Sequence, residues 1–315
     1  MGKAHSVCPF FYARDSVKDC DLVLVPYNYL FDKEARTTLE IQWNNAILIF
    51  DEAHNLESFA SDATSFEFTG LDIAGAINEV SKGIELVSTS IASYGVDEGI
   101  KVDNLVKLKA MFLRIEEFLD SVVPSQGGSF AGEYIFEAWR YASITYQNHQ
   151  LLIDFTRKIT EVIMEAHGGT SSGTPKLDHF IGCLRRTYGG TSEAQCLAKA
   201  RSYRVHVTPH KKLSNDSSKN NAPRTLSYWC FAPSLAMREL VDLGLRSIIV
   251  TSGTLSPIKS YSLTLGIPFH VSSNSLLSTL LSNGMRKKIY YTTTFDFILA
   301  SLSLDNFGKS AYYSA

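Results

Sequence analysis

Asp51-Glu52-Ala53-His54 stand directly behind the apolar run Ala46-Ile47-Leu48-Ile49-Phe50. Two adjacent carboxylates at the end of a short buried strand are what nucleotide hydrolysis asks for. The strand fixes the first carboxylate at a sheet edge, where it can hold Mg²⁺ directly or through a water. The second can then orient and deprotonate the water that attacks a γ-phosphate. An imidazole two residues on, His54, can couple such a site to neighbouring elements. A lone Asp-Glu after a strand would read first as a helix N-cap, with Asp51 capping and Glu52 meeting the helix dipole. The full four-residue string behind five apolar residues favours the catalytic reading. His54 with Glu57 could suggest a metal pair, but no third ligand follows at a matching interval, which argues against zinc.

Two other short apolar runs accompany this one. Asp21-Leu22-Val23-Leu24-Val25 is ended by Pro26, and Ser247-Ile248-Ile249-Val250 is followed by Thr251-Ser252-Gly253-Thr254. Each is short, rich in β-branched residues and bounded by polar or turn residues, as expected of buried strands in a parallel sheet. Ligands bind at the C-terminal edge of such sheets. Between the second and third runs lies material of a different character. Residues 71 to 87 and 101 to 123 have helical periodicity, with Val102, Leu105, Leu108, Phe112, Ile115, Leu119 and Val122 at three- and four-residue steps. From Glu133 to His167 a further periodic stretch includes Trp139, Phe155, Ile159 and Ile163. The pattern predicts an α/β protein whose parallel-sheet core is interrupted by a mostly helical insertion.

Composition bounds the reading. The chain has 315 residues, 45% hydrophobic and 20% charged, an ordinary globular balance that argues against disorder. Thirty basic residues face thirty-two acidic ones, so no net field announces a nucleic-acid partner. Any such partner has to be argued from local patches: residues 201 to 224 carry six basic residues against one acidic, a balance of +5. Within it, Ser214 to Asn221 reads as a solvated hairpin loop, with phosphate contact as the sharper alternative. Five scattered cysteines do not form a disulfide framework and suit a reducing compartment. No run approaches the roughly 18 apolar residues of a membrane helix.

Taken together, these strings resemble a family. Asp51-Glu52-Ala53-His54-Asn55 is similar to the box of DEAH-type superfamily-two helicases, and Val250-Thr251-Ser252-Gly253-Thr254-Leu255-Ser256-Pro257 to the third motif of their XPD-like iron–sulfur members. Cys8-Pro9-Phe10-Phe11-Tyr12-Ala13-Arg14 resembles the point where those helicases place the last of four cysteines that ligate a 4Fe-4S cluster. The resemblance implies a RecA-like P-loop NTPase motor domain, interrupted by an arch domain. It implies ATP-dependent 5′→3′ unwinding of single-stranded and forked DNA, roles in repair, recombination and telomere maintenance, repair or replication proteins as partners through the arch, and a nuclear location. Residue by residue, it makes Asp51 the Mg²⁺ ligand, Glu52 the residue that activates water, and His54 with Thr251, Ser252, Gly253 and Thr254 the coupling group. Cys8 becomes a cluster ligand, Phe10 a face for stacking on bases and Arg14 a charge for phosphate.

The resemblance divides the chain into 1–57 (partial motor domain), 58–225 (arch-like insertion), 226–269 (return to the motor) and 270–315 (a divergent tail). Departures from the pattern matter equally. No Gly-x4-Gly-Lys-Ser/Thr string occurs to hold a triphosphate, and Cys20, Cys183, Cys196 and Cys230 do not have the spacing of cluster ligands. The second motor domain's Gln-x-x-Gly-Arg-x-x-Arg string is not found either. The chain alone is therefore expected to hydrolyse ATP negligibly and not to hold a cluster. A non-catalytic DNA- or partner-binding module is the alternative.

Overall fold

The structure, a computed structural model, describes residues 8–90, 100–122, 128–166, 175–209, 224–252, 255, 257–270, 296–297 and 310–312. The chain divides into two compact units, one of Met1–Thr64 with Ala232–Ala315 and one of Ser65–Phe231.

In the first unit, β2 (Ile47–Phe50) and β7 (Ser247–Ser252) pair in parallel, from Ile47↔Ser247 to Phe50↔Val250. Almost two hundred residues of sequence separate strands that are neighbours in space, as an interrupted parallel core requires. Leu30, Phe31, Phe50, Leu56, Met237, Leu240, Val250 and Leu265 form the buried centre. Phe31 stacks on Phe50 with centroids 5.9 Å apart. Apart from Phe50 and Val250 on the strands, these residues come from the helices Tyr27–Phe31, Leu56–Thr64, Ser234–Val241 and Ile258–Leu265, which cover one face of the strand pair. On the other face Ile47 and Ile49 remain 38% and 49% exposed, so β2 alternates instead of being buried on both sides. Arg36 is buried and donates to the carbonyls of Leu30 and Phe31 at 2.6 and 3.2 Å, satisfying the end of the Tyr27–Phe31 helix.

The run at residues 21 to 25 does not join that sheet. Its strand, β1 (Leu22–Leu24), pairs in parallel with β9 (Ser310–Tyr312), and Leu22 and Leu24 are exposed. Apolar run length alone could not separate a core strand from one at a margin. Residues 270–315 supply a second strand as well: β8 (Asp296–Phe297) lies antiparallel beside β7.

The second unit is less purely helical than its periodicity suggests. It contains a four-stranded antiparallel sheet in the order β3-β6-β5-β4, made of Phe66–Thr69, Arg224–Cys230, Tyr203–Pro209 and Gly128–Ala131. Phe66, Phe68, Val205, Val207, Leu226 and Tyr228 form its buried face. The helices Gly70–Ser90, Val102–Val122, Ile135–Tyr141, His149–Ala166 and Lys176–Thr187 supply most of the rest of the core. Phe180 gathers Phe68, Phe112 and Trp139 around itself, and the Trp139 indole donates to Thr187 Oγ1 at 3.1 Å. The stretch from Glu133 to His167 breaks into two helices, Ile135–Tyr141 and His149–Ala166, with Ser143 in a left-handed conformation between them. Because β6 runs to Cys230, the chain leaves this unit at Phe231, beyond the sequence boundary at 225.

Two carboxylates pin helix starts within this unit. Asp72 and Thr69 form a reciprocal cap at the Gly70–Ser90 helix: Thr69 N and Oγ1 donate to Asp72 Oδ2 at 2.9 and 2.6 Å, and Asp72 N donates to Thr69 Oγ1 at 3.1 Å. Glu79 accepts from the backbone amides of Lys176 and Leu177 at 2.9 and 3.0 Å. It thereby satisfies the opening amides of the Lys176–Thr187 helix from a neighbouring helix.

Candidate active site

Register decides what meets at the sheet edge. Since Phe50 pairs with Val250 in a parallel ladder, the next residues, Asp51 just past β2 and Thr251 near the end of β7, lie side by side. Thr251 Oγ1 donates to Asp51 Oδ1 at 2.9 Å, and the Glu52 amide donates to the same oxygen at 3.0 Å. One carboxylate oxygen is thus engaged, and among the described residues Oδ2 makes no hydrogen bond. His54 Nδ1 lies 3.1 Å from Ser252 Oγ and 3.2 Å from Glu52 Oε2. A ring nitrogen can donate to either oxygen when protonated or accept the hydroxyl proton when not, so the imidazole joins the Asp-Glu turn to β7 in both cases.

The turn itself is unusual. Glu52 has φ 51° and ψ 44°, a left-handed conformation that L side chains adopt rarely. The carbonyl of the residue before it, Asp51, accepts from the Tyr27 hydroxyl, and the carbonyl of the residue after it, Ala53, accepts from the Tyr261 hydroxyl at 2.5 Å, while Glu52's own carbonyl accepts from the Asn55 amide at 3.3 Å. Burial, followed by the nearby charges of Asp51 and Glu52, pushes the Tyr27 phenol up to about 12, so it remains a donor at neutral pH. Burial, and after it the charge of Glu57, raises Tyr261 as well. Neither tyrosine is among the residues to which the sequence pattern assigns a role. Tyr27 lies in the Pro26-Tyr27-Asn28-Tyr29-Leu30 segment after β1, and Tyr261 four residues past Pro257.

Asp51, Glu52, His54, Thr251 and Ser252 therefore form one cluster. Gly253 and Thr254 lie outside the described residues. Mg²⁺ asks little of a protein, one or two carboxylates plus water and phosphate oxygens, and the exposed Asp51 at a sheet edge fits that demand. Such an ion would neutralise charge on phosphate oxygens.

An iron–sulfur cluster asks for more, and the residues present do not fit it. Cys8 is exposed at the start of the helix Pro9–Ser16, whereas Cys183, Cys196 and Cys230 are buried in the second unit. Burial pushes the Cys183 and Cys196 thiols up, away from the thiolate a ligand must be. Among the described residues no three His, Cys, Asp or Glu side chains converge as metal ligands.

The helix Pro9–Ser16 buries no side chain. Phe10, Phe11 and Tyr12 are 45%, 52% and 67% exposed, and the Arg14 guanidinium lies 5.0 Å from the Phe11 ring centroid. A helix with this much unburied aromatic area and an adjacent cation can offer stacking faces and a phosphate contact. Phe10 and Arg14 are thus accompanied by Phe11, which the sequence pattern did not single out.

Residues 75–233 match the family description "RTEL1 helicase, ARCH domain", and residues 1–73 match the family DEAD_2. The chain belongs to the XPD-like RTEL1 helicase family. The regulator of telomere elongation helicase 1 homologues of Arabidopsis thaliana and Oryza sativa subsp. japonica are 33% and 35% identical to it, over 90% and 86% of the chain. The Homo sapiens protein is 31% identical over 86%. The chain covers 28%, 28% and 24% of those three proteins, about a quarter of their length. A solved XPD helicase aligns over 85% of this chain and 38% of its own, at 17% identity and a TM-score of 0.46; membership of the RTEL1 helicase family rests on the sequence matches. The arch description covers nearly the same residues as the second unit. Among the described residues, no helix of this RTEL1 family member is long and apolar enough to cross a membrane.

Proposed function

We propose that this chain carries the hydrolysis-and-coupling edge, the arch and part of the DNA path of an ATP-dependent 5′→3′ DNA helicase acting on single-stranded and forked DNA. In this reading Asp51 holds Mg²⁺, Glu52 activates the attacking water, and His54 with Thr251, Ser252, Gly253 and Thr254 transmits the state of the nucleotide. Phe10 and Arg14 contact the strand. Cys8 is one of four ligands of a 4Fe-4S cluster whose other ligands lie outside these 315 residues. The relatives' names speak of telomere elongation; repair, recombination and telomere maintenance in the nucleus, with repair or replication proteins docking on the arch, complete the proposed setting.

The observation that carries the reading is the paired contact across β2 and β7: Thr251 to Asp51 and Ser252 to His54. Two hydroxyls of one strand end engage the first and last chemical groups of the Asp-Glu-Ala-His string on the other. A chance Asp-Glu cap has no need of that.

The test is DNA-stimulated ATP hydrolysis. The isolated chain, whose sequence contains no P-loop string, is expected to turn over ATP negligibly. Measurable turnover that disappears in Glu52→Gln would overturn that expectation. Joined to the segments that supply a P-loop, the same chain should hydrolyse ATP and lose that activity in Glu52→Gln. Undiminished turnover there would remove Glu52 from the reaction.

The exposed aromatic helix favours a second reading, a non-catalytic DNA-binding module. Its signature is single-strand affinity that falls steeply with salt in the absence of any ATPase; no binding at low salt would eliminate it.

A further inference from the structure

We infer that Tyr27 and Tyr261 are positioning residues for the Asp-Glu turn: their hydroxyls hold the carbonyls of Asp51 and Ala53, the residues on either side of Glu52, and so keep Glu52 in its left-handed conformation. The inference rests on the reading of Glu52 as the water-activating residue.

A non-glycine residue at φ 51° and ψ 44° is disfavoured because its Cβ crowds the neighbouring carbonyl. Such a conformation persists when its surroundings over-determine it. Four non-glycine residues adopt positive φ among the described residues: Glu40, Asn45, Glu52 and Ser143. At Glu52, the preceding peptide is fixed through the Asp51 carbonyl by Tyr27, the Glu52 carbonyl accepts from the Asn55 amide at 3.3 Å, and Tyr261 holds the Ala53 carbonyl one peptide further on. The two tyrosines are themselves anchored in the core. Tyr27 packs edge-on against Phe50 and Phe59, with centroids 5.6 and 5.1 Å away, and Tyr261 stacks on Phe269 at 6.2 Å. Rings held in this way place their hydroxyls without flexible stems.

The geometry also has a purpose in the site. A right-handed residue at position 52 would continue the following 3₁₀ turn Ala53–Asn55 backwards and re-aim the carboxylate. The left-handed one sets Glu52 Oε2 3.2 Å from His54 Nδ1. Tyr261 follows shortly after β7, whose end carries Thr251 and Ser252. The strand that engages Asp51 and His54 through its hydroxyls therefore leads directly into a helix that grips the peptide between them.

The test uses the whole chain and a thermodynamic cycle between Glu52→Gly and the pair Tyr27→Phe with Tyr261→Phe. Glycine adopts positive φ freely, so Glu52→Gly should raise the urea midpoint in the parent chain, where the turn is forced. In the double-Phe background the turn relaxes, and Glu52→Gly should lose that benefit or turn destabilising. A chain selectively labelled with ¹⁵N-glutamate gives the second readout. The strong intraresidue amide–Hα NOE that positive φ produces at Glu52 should be present in the parent and lost in the double variant. If that variant does not fold, Tyr27→Phe alone should weaken the NOE while leaving the fold intact. An equal effect of Glu52→Gly in both backgrounds, with the NOE retained, would overturn the clamp. Neither readout involves ATP, so failure of the hydrolysis reading leaves a different trace: an intact NOE and cycle with no Glu52-dependent turnover.

Discussion

Thr251 Oγ1 donates to Asp51 Oδ1 at 2.9 Å across a distance of 200 residues in the chain. The contact exists because β2 and β7 pair in parallel with that same offset, so the first residue beyond β2 lies beside the penultimate residue of β7. It links the carboxylate assigned to Mg²⁺ to the strand assigned to coupling, and it does so at an exposed edge. An exposed hydrogen bond to a carboxylate contributes modestly to stability, about 1 kcal/mol. Thr251→Val should cost about that much in the unfolding of the first unit, and Thr251→Ser should stay within about 0.5 kcal/mol of the parent. In an Asp51→Asn background the Thr251→Val effect should shrink, which a double-mutant cycle by urea denaturation reads directly. A full-sized effect there would mean that Thr251 acts through something other than Asp51.

Asp72 makes a prediction about acid. Burial pushes its carboxyl up, but hydrogen bonds from Lys176 and from the Thr69 hydroxyl and amide outweigh that, and the group settles at about 2. Lys176 Nζ lies 2.8 Å from Asp72 Oδ1. A carboxyl whose folded value lies below its unfolded one, about 3.9, stabilises the fold fully above the unfolded value and loses that contribution as pH falls through the folded one. The window is therefore from about pH 4 down to about pH 2, and the contribution is on the order of 2 kcal/mol. Asp72→Asn should be less stable at neutral pH and should flatten this part of the acid profile. An unchanged profile in the variant would assign the acid sensitivity elsewhere.

The sequence was informative where periodicity and spacing act locally. The strands at 47–50 and 247–252 and the helices Gly70–Ser90 and Val102–Val122 follow from apolar runs and three- and four-residue steps. So does the meeting of Asp51 with Thr251, once both strands are assigned to one parallel sheet. Other features depended on what lies alongside in space. Phe66–Thr69 and Gly128–Ala131 are four-residue strands with no run long enough to stand out, and only their partners β5 and β6 make them a sheet. The roles of Tyr27 and Tyr261 were equally hidden, because a tyrosine in a helix reads as packing until its hydroxyl is seen to face a particular carbonyl. Glu52 offered no hint of its left-handed backbone, since glutamate is not a residue that favours it.

Gly132 offers a test of the second unit's packing. A Cβ there would sit 1.9 Å from the Ala200 carbonyl oxygen and 2.7 Å from that of Tyr203. Both are backbone atoms that cannot swing aside. The close approach lets the chain after β4 lie against the turn between the Glu193–Ala200 helix and β5. Gly132→Ala should destabilise this unit by about 3 kcal/mol, since overpacking against rigid backbone is costly. Thermal unfolding with a probe in this unit would show it; a change below about 0.5 kcal/mol would mean that β4 can shift freely.

The helix Pro9–Ser16 carries the prediction closest to the proposed DNA path. Its three aromatics stay 45% to 67% exposed and none of its side chains is fully buried, so stability explains them only in part. Stacking of one base on an aromatic face contributes about 1 to 3 kcal/mol, which converts to roughly 5- to 150-fold in affinity. Phe10→Ala and Phe11→Ala should each weaken binding of a single-stranded oligonucleotide within that range while leaving the unfolding midpoint unchanged. Arg14→Ala should differ in kind. If its guanidinium meets phosphate, its loss lowers affinity and also reduces the dependence of log K on log salt by about 0.7, the single-strand value for one phosphate contact. If Arg14 serves only to cap the Phe11 ring at 5.0 Å, affinity falls and the salt slope stays the same. Fluorescence anisotropy at a series of salt concentrations separates these outcomes, and unchanged affinity in all three variants would remove this helix from the DNA path.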